Sequence, residues 1–198
     1  GAAENSFGGS CANEAANFLR TPCEIPGWEG VESLSLSSRS TCAVLNRGQV
    51  ECLGWVPSAS LEKSCGKRAH ARIPIYERIF PRDDCESPAK IRLPGSIHSL
   101  EGGSLNGHCG LQEDSTPLCW GDWIPNVTND WTLAQGPFYR PPGNSIYSSL
   151  TLGENHACAI TRDAGVQCVG RGTMGELGQG EMRSSFEWVN VKFENQEP

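Results

Sequence analysis

No apolar run in this chain approaches the roughly 18 residues that a membrane-spanning helix needs, which excludes such a helix. Several catalytic and cofactor signatures are also missing. There is no G-x-x-x-x-G-K-[ST] loop to cradle phosphates and no G-x-S-x-G elbow to present a nucleophilic serine. No CxxC-like knuckle exists to bring two thiolates to one ion, so the ten cysteines do not read as a metal site, and no cofactor is implied. Positive charge is scarce. With 16 Lys and Arg against 23 Asp and Glu, the formal charge is -7 and the pI is near 5.1. That disfavours a nucleic-acid surface, which needs a dense Lys/Arg field, and binding to anionic lipid as well. The start, GAAENSFGG, shows no signal peptide, so a targeting segment is expected to be removed or outside this sequence.

What is present is glycine, proline and cysteine. Gly (23) and Pro (13) punctuate a chain of 198 residues that is 37% hydrophobic, a balance that favours short strands over a helical bundle. An even cysteine count without metal spacing implies disulfides, and with them an oxidising compartment such as the extracellular space. Asn126-Val127-Thr128 is the one glycosylation sequon, consistent with a secreted glycoprotein.

Three cysteine pairs share one spacing: Cys42 and Cys52, Cys109 and Cys119, Cys158 and Cys168. Nine residues separate the members of each pair, and a large apolar residue plus Gly follows each one (Leu53-Gly54, Trp120-Gly121, Val169-Gly170). Apolar starts precede them at Val31 to Leu34, Ile97 to Leu100 and Ile146 to Leu150. Three copies with shared flanks make an internal repeat. In the first copy, β-prone runs flank Asn46-Arg47-Gly48, a connection whose Gly suits a hairpin tip at positive φ. With Arg47 at the tip, Cys42 opposes Cys52 and Val44 opposes Val50, within disulfide reach. The third copy is expected to repeat this with Arg162-Asp163-Ala164-Gly165. The second, Glu113 to Pro117, lacks the turn Gly and predicts a less regular tip. Each unit is then a small antiparallel sheet that must stack on its neighbours to bury both faces.

Residues 146–180 resemble a regulator-of-chromosome-condensation repeat: an apolar strand, the Gly153-Glu-Asn-His156 corner, the Cys158 hairpin, Val169-Gly170, then Gly175-Glu-Leu-Gly178. Residues 31–55 and 97–121 resemble it over the hairpin core, and close matching covers about half of the chain. The resemblance implies an all-β fold of propeller-like blades, each a four-stranded antiparallel sheet. Such propellers carry about seven blades. Three hairpins therefore imply a partial propeller or a slice of a longer one. Phe186 to Phe193 is expected to lead toward a further blade, and an unpaired sheet edge invites another strand.

The expected organisation is one repeat domain over 1–198: an N-terminal part-blade (1–30) with a Cys11–Cys23 loop, hairpin one (31–55), an insertion (56–94) stapled by Cys65–Cys85, hairpin two (95–122), a linker (123–144), hairpin three (145–180) and a C-terminal strand (181–198). Insertions emerge where propellers carry partner contacts. Lys67, Arg68 and Arg72 form a basic stretch that reads either as a solvated loop face or as a docking patch. Trp120 takes the family's core position. Trp123 and Trp131 have no assigned structural slot and read either as core packing or as partner or ligand contacts. His156 sits in the family corner and reads as structural, and Asp83-Asp84 as a solvated turn. No catalytic residue emerges. The expectation is a non-enzymatic, extracellular protein-interaction module or scaffold, whose partners are other chains of an assembly. The alternative is a glycan-binding, lectin-like propeller using exposed Trp.

Overall fold

The computed structural model describes residues 24–65, 82–103, 107–121 and 138–193. Within them the chain is all-β. The first sheet contains β1 (Ser33–Leu36), β2 (Ser40–Leu45), β3 (Gln49–Pro57) and β4 (Arg82–Lys90). The second contains β5 (Ile97–Gly102), β6 (Gly107–Gln112) and β7 (Pro117–Gly121). The third contains β8 (Tyr147–Leu152), β9 (His156–Thr161), β10 (Val166–Gly170) and β11 (Ser185–Asn190). Strands neighbour one another in chain order, so every sheet is an antiparallel meander, the form of a propeller blade. The second sheet has three strands among the described residues. An antiparallel bridge from Cys119 to Tyr139 stands in its fourth position, because Ala89 opposes Cys52 and Val189 opposes Cys168 in the other two blades.

The hairpin register follows the cysteine spacing. Cys42 faces Cys52, Cys109 faces Cys119, and Cys158 faces Cys168, each pair joined by a disulfide with Cα atoms 4.1, 4.0 and 4.1 Å apart. Cys119 shows why so close an approach is available. It donates its N–H to the Tyr139 carbonyl and accepts the Tyr139 N–H, so toward Cys109 it forms the narrow, non-hydrogen-bonded type of cross-strand pair. Closing such a loop stabilises by about 3 kcal/mol on the chain-entropy model. Replacing Cys109 and Cys119 together by alanine is expected to lower the unfolding free energy by at least that amount. Urea titrations of the two proteins read the loss, and a difference under about 1 kcal/mol would show the clasp to be dispensable.

Two expectations about hairpin tips are corrected. In all three tips the sixth residue after the first cysteine is left-handed, namely Gly48 (φ 69°), Ser115 (φ 63°) and Ala164 (φ 66°). Gly165, the expected turn glycine of the third hairpin, is not that residue. The second tip is also as regular as the third. In both, the backbone closes with the same pair of bonds, Gln112 to Thr116 and Ser115 to Gln112 in one, Thr161 to Gly165 and Ala164 to Thr161 in the other. Asp114 further ties this tip by accepting from the Thr116 N–H at 3.0 Å and its hydroxyl at 2.6 Å. Those bonds hold the Asp114 carboxyl below its ordinary pKa.

The Gly after each second cysteine has a definite role. Between Cys52 and Gly54 the pairing with β4 jumps from Ala89 to Cys85, and between Cys168 and Gly170 the pairing with β11 jumps from Val189 to Ser185. Both are the same bulge, and the glycine takes it at φ 81° and 122°. A Cβ on Gly54 would stand 2.2 Å from the Arg39 carbonyl oxygen, which excludes every other residue there.

Three further differences concern the ends of the blades. The Cys65–Cys85 disulfide forms, but the range 56–94 also holds β4, the outer strand of the first blade. Asp83 lies on that strand, not in a solvated turn. It is buried, and accepts hydrogen bonds from Ser58 Oγ, Ser64 Oγ and the Cys65 N–H, which compensate for its lost hydration and tie the root of the insertion to the sheet. Finally, β11 is the outer strand of the third blade, paired with β10, and not the first strand of a further one.

Candidate interaction surfaces

Blade stacking places two apolar seams. The first joins Cys42, Val44 and Cys52 of blade one to Ile97, Leu100, Leu118 and Trp120 of blade two. The second joins Cys109, Leu111 and Cys119 of blade two to Tyr147, Leu150, Ala159 and Val169 of blade three. Each seam thus sets the disulfide face of one blade against the inner strand of the next. The hairpin tips add polar contacts. The Tyr147 N–H donates to the Ser115 carbonyl at 3.1 Å, and the Arg162 guanidinium donates to Ser115 Oγ at 3.1 Å.

The first seam also encloses a polar cluster that sequence reasoning did not find. His108 on β6 is buried, with Nδ1 2.7 Å from Ser35 Oγ and Nε2 2.8 Å from Ser40 Oγ, both on blade one. Its ring stacks on Trp120, its cross-strand neighbour, at 6.0 Å between centroids. Burial pushes the imidazole down to about 3, so it is neutral at neutral pH. With both nitrogens engaged in a sealed seam, His108 works as a structural cross-link between blades. Alignment of the repeats hides it, because Thr41 and Ala157 hold the equivalent places.

The outer flanks differ from the seams at equivalent positions. Leu34, Leu100 and Leu150 oppose Ala43, Gly110 and Ala159, each the residue after a first cysteine. Leu100 and Leu150 are 2% and 5% exposed, whereas Leu34 is 56% exposed. Leu36 and Val31 on the same stretch are exposed too. On the opposite flank, Ile160 occupies the position of Val44 and Leu111, each cross-strand to the second residue before a second cysteine. Those two are fully buried, and Ile160 is 46% exposed. Leu53 and Cys168 are buried, so the open part of either flank is its inner half. An exposed apolar strip at a position that is core in the neighbouring copies is a candidate interaction surface.

The sequence-predicted contacts are not among these residues. Lys67, Arg68, Arg72, Trp123, Trp131, the Asn126 sequon and the Cys11–Cys23 loop fall outside the described residues. Trp120 is fully buried in the first seam. Trp55 carries Arg39 over its ring at 4.2 Å, and Trp188 packs on Tyr147 at 4.9 Å. His156 lies against Gly153, where its ring leaves no room for a Cβ. Among the described residues, no helix is long and apolar enough to cross a membrane.

No family model and no curated protein matches the chain. Solved structures do match in fold. Human WBSCR16 superposes with a TM-score of 0.63 at 12% identity, over 85% of this chain and 42% of its own. Prp20p from Saccharomyces cerevisiae superposes with a TM-score of 0.59 at 17% identity, over 84% of this chain and 37% of its own. That structure is described with its binding to Gsp1p and histones. A second structure of the yeast protein, named there as RCC1 (Prp20) and bound to Kap60, gives a TM-score of 0.58 at 17% identity. The fold is that of regulator-of-chromosome-condensation propeller blades. The chain spans about two fifths of the length of these propellers.

Proposed function

We propose that this chain is a non-enzymatic protein-interaction module working in an oxidising, extracellular setting, and that it engages protein through the open flanks of its blades. The observation that carries this reading is Leu34, solvent-exposed at the position where Leu100 and Leu150 form core. Water-exposed leucine at a seam position leaves roughly 25 cal/mol per Å² of apolar area to be gained on association. Four disulfides among the described residues support the oxidising setting. The yeast propeller's binding to Gsp1p, histones and Kap60 supports surface binding as the mode of action. Acidic overall charge separates this chain from nucleic-acid partners.

The test is capture by the immobilised full chain from the extracellular medium of its source, compared with a Leu34→Asp, Leu36→Asp variant. Capture of a protein by the parent and at least tenfold less by the variant is the expected result; equal capture by both would remove the flank as the binding surface.

A further inference from the structure

Both methionines of the chain, Met174 and Met182, stand in the loop that joins β10 to the outer strand β11. They are 76% and 78% exposed, more than any other large hydrophobic side chain among the described residues. Methionine is among the residue types most often buried, so two solvated copies in one loop call for an account. The loop is held in place. The Gly172 N–H donates to Ser184 Oγ at 3.2 Å, and a Cβ on Gly172 would stand 2.2 Å from the Arg183 carbonyl oxygen, so the two ends meet. Between them, the Gly175 N–H bonds the Gly172 carbonyl and the Gly178 N–H bonds the Gly175 carbonyl. Leu177 is fully buried and pins the loop to its blade, while the Met174 N–H donates to the Glu176 carboxylate at 2.7 Å. The loop starts where the Arg171 N–H bonds the Asn155 carbonyl, at the end of the blade, and it supplies no residue to either seam.

We propose that this loop is a peroxide-modified site, at which Met174 and Met182 are converted to methionine sulfoxide while the fold is retained. The inference is independent of the protein-interaction reading above. A thioether sulfur needs no base, because its lone pair is available without loss of a proton, and access from solvent governs its reaction. It attacks the terminal O–H oxygen of hydrogen peroxide or of an organic hydroperoxide. The S–O bond forms as the O–O bond breaks, and sulfur gives up two electrons to the peroxide. The leaving oxygen takes the proton of the attacked one and departs as water or alcohol. Competition for the oxidant is weak, since among the described residues no cysteine is free and Trp120 is fully buried. Each sulfoxide sets a polar acceptor where an apolar side chain stood. Leu177, inside the blade, is untouched. The oxidant therefore changes the surface of the loop and leaves the core alone.

Treatment of the 198-residue chain with excess hydrogen peroxide at neutral pH, followed by peptide mass mapping, tests this. Met174 and Met182 are each expected to gain one oxygen, at a rate within about threefold of a blocked methionine in the same solution. Circular dichroism and the urea midpoint are expected to be unchanged once both are oxidised. A Met174→Leu, Met182→Leu variant keeps the apolar bulk and is expected to take up no oxygen over the same period. Either methionine reacting more than about tenfold slower than the blocked amino acid overturns the proposal. A fall in the urea midpoint on oxidation does so too, as does oxygen uptake by the double variant equal to that of the parent.

Discussion

Replacing Trp120 by alanine is expected to lower the unfolding free energy by about 3–5 kcal/mol, the range for truncating a fully buried aromatic side chain. Trp120 is fully buried in the seam between blades one and two, edge-on to Phe138 at 6.3 Å and stacked on His108. Truncation removes packing for Val44, Leu100 and Leu118 together, so the two blades lose their shared core as well as one contact. The indole Nε1 is buried and has no hydrogen-bond partner among the described residues. Trp120→Phe therefore deletes an unsatisfied donor along with some volume, and its loss is expected to be smaller, about 1–2 kcal/mol. Urea unfolding of the three proteins measures both values. A Trp120→Phe loss as large as that of Trp120→Ala would show that the indole N–H matters and that the seam is not governed by volume.

This seam shows where sequence reading succeeds and where it stops. The disulfide hairpins were legible because a nine-residue gap and a period-2 strand leave one register that brings the cysteines together. The glycine after each pair was visible as a signature, and its reason, the bulge toward β4 and β11, emerged only with the outer strands in place. Those strands were poorly legible. Arg82–Lys90 contains two aspartates, a glutamate and a proline, and it is strand because β3 supplies its partners, not because of its own propensity. The candidate interaction surface was harder still. Leu34, Leu100 and Leu150 look alike in the sequence, and what separates them is whether a blade stands in front. His108 was hidden for the opposite reason, since the repeats differ there and its partners lie 73 and 68 residues away on another blade.

That histidine is also expected to make the protein acid-sensitive. His108 is held neutral by burial, with its pKa lowered from 6.5 to about 3. In the unfolded chain it binds a proton near pH 6.5. The neutral form therefore contributes stability that is fully present above pH 6.5, declines as pH falls, and is gone once pH passes the folded value. Between pH 7 and pH 5 the linkage amounts to about 2 kcal/mol, at 1.36 kcal/mol for each pH unit below the unfolded pKa. Asp114, Asp163 and Glu176 have lowered pKa values, so their stability contributions fade only as pH falls below the ordinary carboxylate range. The interval from pH 7 to pH 5 thus isolates the imidazole from them. His108→Gln supplies the control. Its amide can still accept and donate toward Ser35 and Ser40, but it does not titrate. The variant is expected to be about 1–2 kcal/mol less stable at pH 7, from imperfect refilling of the site, and to lose about 2 kcal/mol less than the parent on going to pH 5. Denaturant midpoints for both proteins at the two pH values give the four numbers needed. If parent and variant fall in parallel, His108 is not the group that acid attacks, and the seam between the first two blades opens for some other reason.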